Sequence, residues 1–71
     1  MSVGTKIRGY RISKGITQLD LEIGTKLAHG VISRIENNRT NPSKETIIRI
    51  AKELELQNQE IAELFGLNFK N

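Results

Sequence analysis

The chain has 71 residues, no cysteine, one histidine and a formal net charge of +3. That length holds one domain, residues 1–71, which buries only about 60% of the surface its unfolded form exposes. A disulfide framework and a cysteine-based metal site are excluded, a structural zinc lacks ligands, and no apolar run could span a membrane or serve as a signal sequence. The charge is uneven. Residues 1–52 carry ten Lys or Arg against Asp20, Glu22, Glu36 and Glu45, a balance of +6. Residues 53–71 carry Lys70 against Glu53, Glu55, Glu60 and Glu63, a balance of −3. The basic part suits a polyanionic partner, although ordinary solvated surface charge gives the same count.

In chain order, Met1 to Thr5 reads as a loose polar tail. Lys6 to Lys14 reads as a first helix, with Ile7 and Tyr10 on one face and Gly15 just past its end. Thr17 is a candidate N-cap for a short helix from Gln18 to Gly24 or Thr25, where Gly24-Thr25-Lys26 weakens helical propensity. Another short helix follows from about His29 to Asn37, with Ile32 and Ile35 on its buried stripe and Leu27 in the preceding turn pointing inward. Two helices joined so tightly leave the outer face of the second projecting, the helix-turn-helix arrangement that reads a major groove. Asn38 to Pro42 reads as a loop. Pro42 and Ser43 then start a helix that reaches about Leu56, with Ile47, Ile50, Ala51 and Leu54 at helical spacing. Asn58 is a candidate cap for a fifth helix, Gln59 to Phe65, closed by Gly66. Only Leu19, Leu21 and Ile23 alternate with period two, so the expected fold class is all-α.

Enzymatic chemistry finds little support. There is no cysteine nucleophile, no glycine-rich phosphate loop and no carboxylate pair in an evident cleft, and His29 has no evident acid to orient it.

Tyr10-Arg11, Gly15-Ile16-Thr17-Gln18, Leu21, Ile32-Ser33-Arg34-Ile35-Glu36-Asn37, Asn41-Pro42-Ser43 and Ile50-Ala51-Lys52-Glu53-Leu54 stand in register with one known pattern. Over residues 6–56 the chain resembles the lambda-repressor-like helix-turn-helix family, also called the Cro/C1 or Xre type. The resemblance implies a compact five-helix DNA-binding domain with its helix-turn-helix at about 17–37 and no cofactor or metal. It further implies a transcriptional regulator of repressor or controller kind, cytoplasmic and associated with the nucleoid. Such a protein binds double-stranded DNA at a palindromic operator as a homodimer, away from any membrane. Three positions depart from the pattern. Glu22 stands where a small residue usually lets the two helices approach, Lys26 where the turn usually has glycine, and Ala28 where a capping hydroxyl usually opens the recognition helix. A small rotation would turn Glu22 outward and Ile23 inward, and Lys26 either widens the turn or adopts a left-handed conformation.

The resemblance also implies residue roles. His29, Gly30, Ser33 and Arg34 occupy the outer face of the recognition helix and are the candidates for base contacts. Arg34 is the foremost, since a guanidinium can bond guanine O6 and N7 together, although a phosphate contact or salt bridge is open to it too. Thr17 and Gln18 at a helix start, then Asn37, Asn38, Arg39 and Thr40, are candidates for phosphate contacts. Lys44 joins them if its helix starts facing the DNA. Arg11 and Glu36 stand where the family has a structural ion pair. Ile61, Leu64, Phe65, Leu67 and Phe69 form an apolar series within residues 57–71, expected to be left over for a dimer interface. The competing expectation is that Phe65, Leu67 and Phe69 fold back onto the chain's own core. Two alternatives remain: a protein-interaction module such as an antitoxin, with a protein partner, and the N-terminal domain of a longer regulator.

Overall fold

Most helix starts coincide with a side chain that can take up the free N–H groups of a first turn. Ser2 Oγ accepts from Thr5 N–H at 3.2 Å, and Ser43 Oγ from Thr46 N–H at 3.1 Å. Thr17 and Asp20 satisfy each other's backbone in a capping box at 3.0 and 3.3 Å. Glu60 Oε1 accepts from Gln57 N–H at 2.8 Å. The computed structural model describes residues 1–66. The fold has five helices, α1 (Val3–Ser13), α2 (Gln18–Thr25), α3 (Val31–Glu36), α4 (Lys44–Glu53) and α5 (Asn58–Leu64), all but α3 opening on one of these starts, with no strand among the described residues.

α1 packs on α3 and α5, α2 on α3 and α4, and α4 on α5. Between them lie Ile7, Leu21, Ile32, Ile35, Ile47, Ile50, Ala51, Leu54, Leu56 and Leu64, with Tyr10, Ile16, Leu27, Ile61 and Phe65 partly buried around them. The Tyr10 hydroxyl donates to Glu63 Oε2 at 3.0 Å. Burial first, and the Glu63 carboxylate second, push its pKa up to about 12.

Several boundaries differ from the sequence expectations. Met1 to Thr5 is not wholly a tail, because Ser2 caps a helix that already includes Val3, Gly4 and Thr5. α3 begins at Val31 rather than His29, since Gly30 at φ 85° is its left-handed N-cap. α4 stops at Glu53, with Glu55 left-handed at φ 55°. Gln57, not Asn58, is the cap of α5. Lys26 takes the left-handed option, at φ 60°, which for a residue with a Cβ costs about 1–2 kcal/mol. The turn is thereby kept tight.

Two corrections concern which side chains face out. The rotation of α2 does not occur: Ile23 is 67% exposed and Leu19 60%, whereas the Glu22 side chain is 11% exposed and turned toward α3. Leu21 and Thr25 hold α2 in this setting, both buried, with Thr25 Oγ1 donating to the Leu21 carbonyl at 2.7 Å. Leu64 is not left over for an interface, because at 3% exposure it belongs to the chain's own core. Ile61 and Phe65 pack partly against that core, and Leu67 and Phe69 lie outside the described residues.

α1 and α3 approach closely at Gly4, where a Cβ would overlap the Ile35 carbonyl oxygen and lie 2.9 Å from Asn38 Oδ1. Gly9, in the same helix, has open space around it. Gly4→Ala is therefore expected to destabilise the fold by about 1–3 kcal/mol through overpacking. Gly9→Ala should stabilise it by about 0.5–1 kcal/mol through helix propensity. Urea midpoints of the two variants check this, and midpoints that move the same way would contradict the close approach.

Candidate nucleic-acid interface

The α3 helix has six residues, and its two sides differ sharply. Ile32, Ile35 and Glu36 are buried, while Gly30, Ser33, Arg34 and Asn37, spaced three and four apart, share the opposite side. Asn37 Nδ2 donates to the Ser33 carbonyl at 2.9 Å and lies 3.3 Å from Ser33 Oγ, which ties the two together. The Arg34 guanidinium folds back over the first turn, its Nη1 3.1 Å from where a Gly30 Cβ would be. Arg39 N–H donates to the Arg34 carbonyl at 2.8 Å and so closes the C-terminal end, with Asn38 left-handed at φ 60°. Arg39 and Thr40 follow as exposed residues.

The buried end of this helix is fixed by charge. Glu36 Oε2 accepts from Arg11 Nε at 2.6 Å, and Oε1 from Arg11 Nη2 at 2.9 Å. Arg11 Nη1 donates on to the Ile16 carbonyl at 2.9 Å. The two side chains are 12% and 2% exposed, and the hydrogen bonds to Glu36 hold Arg11 charged against the cost of burial. Gln18 Nε2 adds a third donor to Glu36 Oε1, at 3.1 Å. The start of α2, with Thr17 exposed before it, thus sits beside the end of α3. Both carboxylate oxygens of Glu36 thus have a donor.

The other end of α3 is held by Glu22. Its Oε2 accepts from Gly30 N–H at 2.8 Å, and its Oε1 lies 3.2 Å from His29 Nδ1. The backbone bond foremost, and the His29 contact after it, hold the Glu22 carboxyl below its ordinary value, while desolvation opposes them. Gly30 has no side chain and the first turn of α3 carries no side-chain cap; Glu22 from the neighbouring helix fixes the backbone of the N-cap residue itself.

A family model described as helix-turn-helix matches residues 7–61. The chain belongs to the lambda-repressor-like, Cro/C1-type helix-turn-helix family. No curated protein matches it, and no solved structure does. Within the helix-turn-helix family, α2 and α3 are the paired helices and the protein is a DNA-binding regulator.

In this helix-turn-helix domain the expected contact residues fall into two sets. Gly30, Ser33, Arg34 and Asn37 come together on one side of α3, with His29 exposed in the turn before it, Asn38, Arg39 and Thr40 after its end, and Thr17 near that end. Lys44 opens α4, which packs on α2 and α5. One amide N–H of Gln18 is bonded to Glu36, which fixes this side chain beside the end of α3. The expectation that His29 lacks an orienting acid is corrected by Glu22, seven residues away. That pairing was hidden because such a separation corresponds to no neighbour spacing within one helix. Only the unusual acid at position 22 could have flagged it. No helix among the described residues is long and apolar enough to cross a membrane.

Because Glu22 is held below its ordinary carboxyl pKa of 4.5 in the fold, its contribution to stability is present above that value. It is lost as pH falls through the lower, folded value. Glu22→Gln should therefore flatten the acid limb of the stability profile below about pH 4.5. Thermal melts between about pH 6 and pH 2 check this, and identical acid limbs for the two proteins would contradict it.

Proposed function

We propose that the chain reads a specific double-stranded DNA sequence through α3 and regulates transcription there, as a repressor or controller protein. The observation that carries this reading is the side of α3 bearing Gly30, Ser33, Arg34 and Asn37, outward on a helix whose opposite side is buried. Arg34 is the specific reader, its guanidinium suited to guanine O6 and N7. Arg39, Thr40, Asn38 and Thr17 contact phosphates around it. The +6 balance of residues 1–52 supplies attraction independent of sequence. A helix of six residues reaches few base pairs, so a homodimer on a palindromic operator supports the specificity such a regulator needs, with half-sites about 34 Å apart.

A second reading, a protein-interaction module such as an antitoxin, is favoured by Leu19 and Ile23. These exposed apolar residues stand four apart on the outer side of α2.

Selection of bound sequences from a random duplex pool tests the main reading. It should enrich one motif, palindromic if the protein binds as a dimer. The logarithm of affinity for that motif should fall linearly with log salt, with a slope of about −0.9 per phosphate neutralised. Arg34→Ala should cost about 1–3 kcal/mol on the selected site and relax one base pair. Arg39→Ala should weaken all sequences alike. A flat salt response with no enriched motif would overturn the DNA reading, and a partner chain that co-purifies would favour the second one.

A further inference from the structure

Glu22 lies outside the set of residues assigned to DNA contact, yet its carboxylate makes two bonds that bear on that set. One goes to Gly30 N–H at 2.8 Å, where α3 begins. The other goes to Nδ1 of His29 at 3.2 Å. The Glu22 side chain is 11% exposed and the His29 side chain 96% exposed, so the contact has an inner, anchored partner and an outer, projecting one. An ionised carboxylate can only accept hydrogen bonds. The proton in the His29 contact must therefore sit on Nδ1, and in the neutral ring Nε2 is then left with a lone pair. For a histidine free in water the opposite tautomer, with the proton on Nε2, is the favoured one. Glu22 thus reverses the hydrogen-bonding sense of the atom that His29 presents to the outside.

We propose that Glu22 is a specificity-determining residue that acts through His29, fixing the ring so that Nε2 faces the major groove as an acceptor. This rests on the reading of α3 as the DNA-contacting helix. An acceptor at that position selects the exocyclic amino groups, N6 of adenine or N4 of cytosine, and rejects guanine O6 and N7 or thymine O4. Glu22 is a positioning residue in this scheme and touches no base. It also accounts for one departure from the family pattern: the acid that stands where a small residue is usual holds Gly30 N–H just before the first turn of α3.

Glu22→Gln gives a discriminating variant. Its amide oxygen can still accept from Gly30 N–H, but the group facing His29 becomes an N–H donor. Nδ1 must then accept, and the proton moves to Nε2. The base preference at the position read by His29 should invert.

Two readouts test this, both at about pH 8.5, where a histidine ring is ordinarily neutral. The first is nitrogen-15 NMR of the His29 ring in the free protein. It should show the Nδ1–H tautomer in the wild type and the Nε2–H tautomer in Glu22→Gln. The second uses duplexes carrying the site selected by the wild type, at the base pair that His29→Ala relaxes. Removing the exocyclic amino group of the adenine or cytosine there should weaken wild-type binding about tenfold and leave Glu22→Gln binding unchanged. A wild-type ring in the Nε2–H tautomer overturns the proposal whatever the DNA results. An Nδ1–H ring with no enriched site overturns the DNA reading, and the specificity role with it. An enriched site at which both proteins prefer the same base overturns the proposal while the DNA reading stands.

Discussion

The carboxylate of Glu36 is the point at which the first three helices meet. Two donors come from Arg11 in α1 and one from Gln18 in α2, while Glu36 itself ends α3. Three elements that share one buried charge cannot move independently without leaving that charge short of a donor. Such pairs need not add net stability, since desolvation consumes much of the Coulomb gain, but breaking one by removing a partner is expensive. Its consequence here is geometric. With α1, α2 and the end of α3 tied together, the side of α3 bearing Ser33, Arg34 and Asn37 is presented in one orientation. The bond from Arg11 Nη1 to the Ile16 carbonyl extends the restraint into the link that precedes α2.

An isolated helix of six residues would not form in water, because too few hydrogen bonds follow the costly first turn. α3 persists because contacts from outside hold both its ends and its inner side is packed with Ile32 and Ile35. Glu22 serves the start, while Asn37 and the Arg39 backbone serve the end. α2 has a similar dependence, its last turn closed by Arg49 of α4, which donates to the Thr25 carbonyl. The backbone of α3 is therefore held by contacts already made within the fold.

Much of this was legible in the sequence because it depends on local spacing. The five helices, the Thr17 cap and the buried set Ile7, Ile32, Ile35, Ile47, Ile50, Ala51 and Leu54 follow from helical periodicity and capping chemistry. The family pattern was legible in short runs such as Ile32 to Asn37. What periodicity misses is choice between neighbours. Leu19 and Ile23 look like core residues by type, and Glu22 looks like a surface residue. Leu21 and Thr25 turn α2 the other way, and Gly30 gives Glu22 a reason to face inward. Leu64 was misjudged because burial in so small a domain depends on how α5 docks on α1 and α4, which no local pattern records.

The central claim is that the charge cluster around Glu36 couples the helices that present α3. A double-mutant cycle on Arg11 and Glu36, followed by urea denaturation, measures that coupling directly. Each alanine variant should lose about 3 kcal/mol, since each leaves a buried charge without its partner. The double variant should lose less than the sum, by about 1–3 kcal/mol. Strictly additive losses would mean that the two residues act independently and that the frame is held by apolar packing alone.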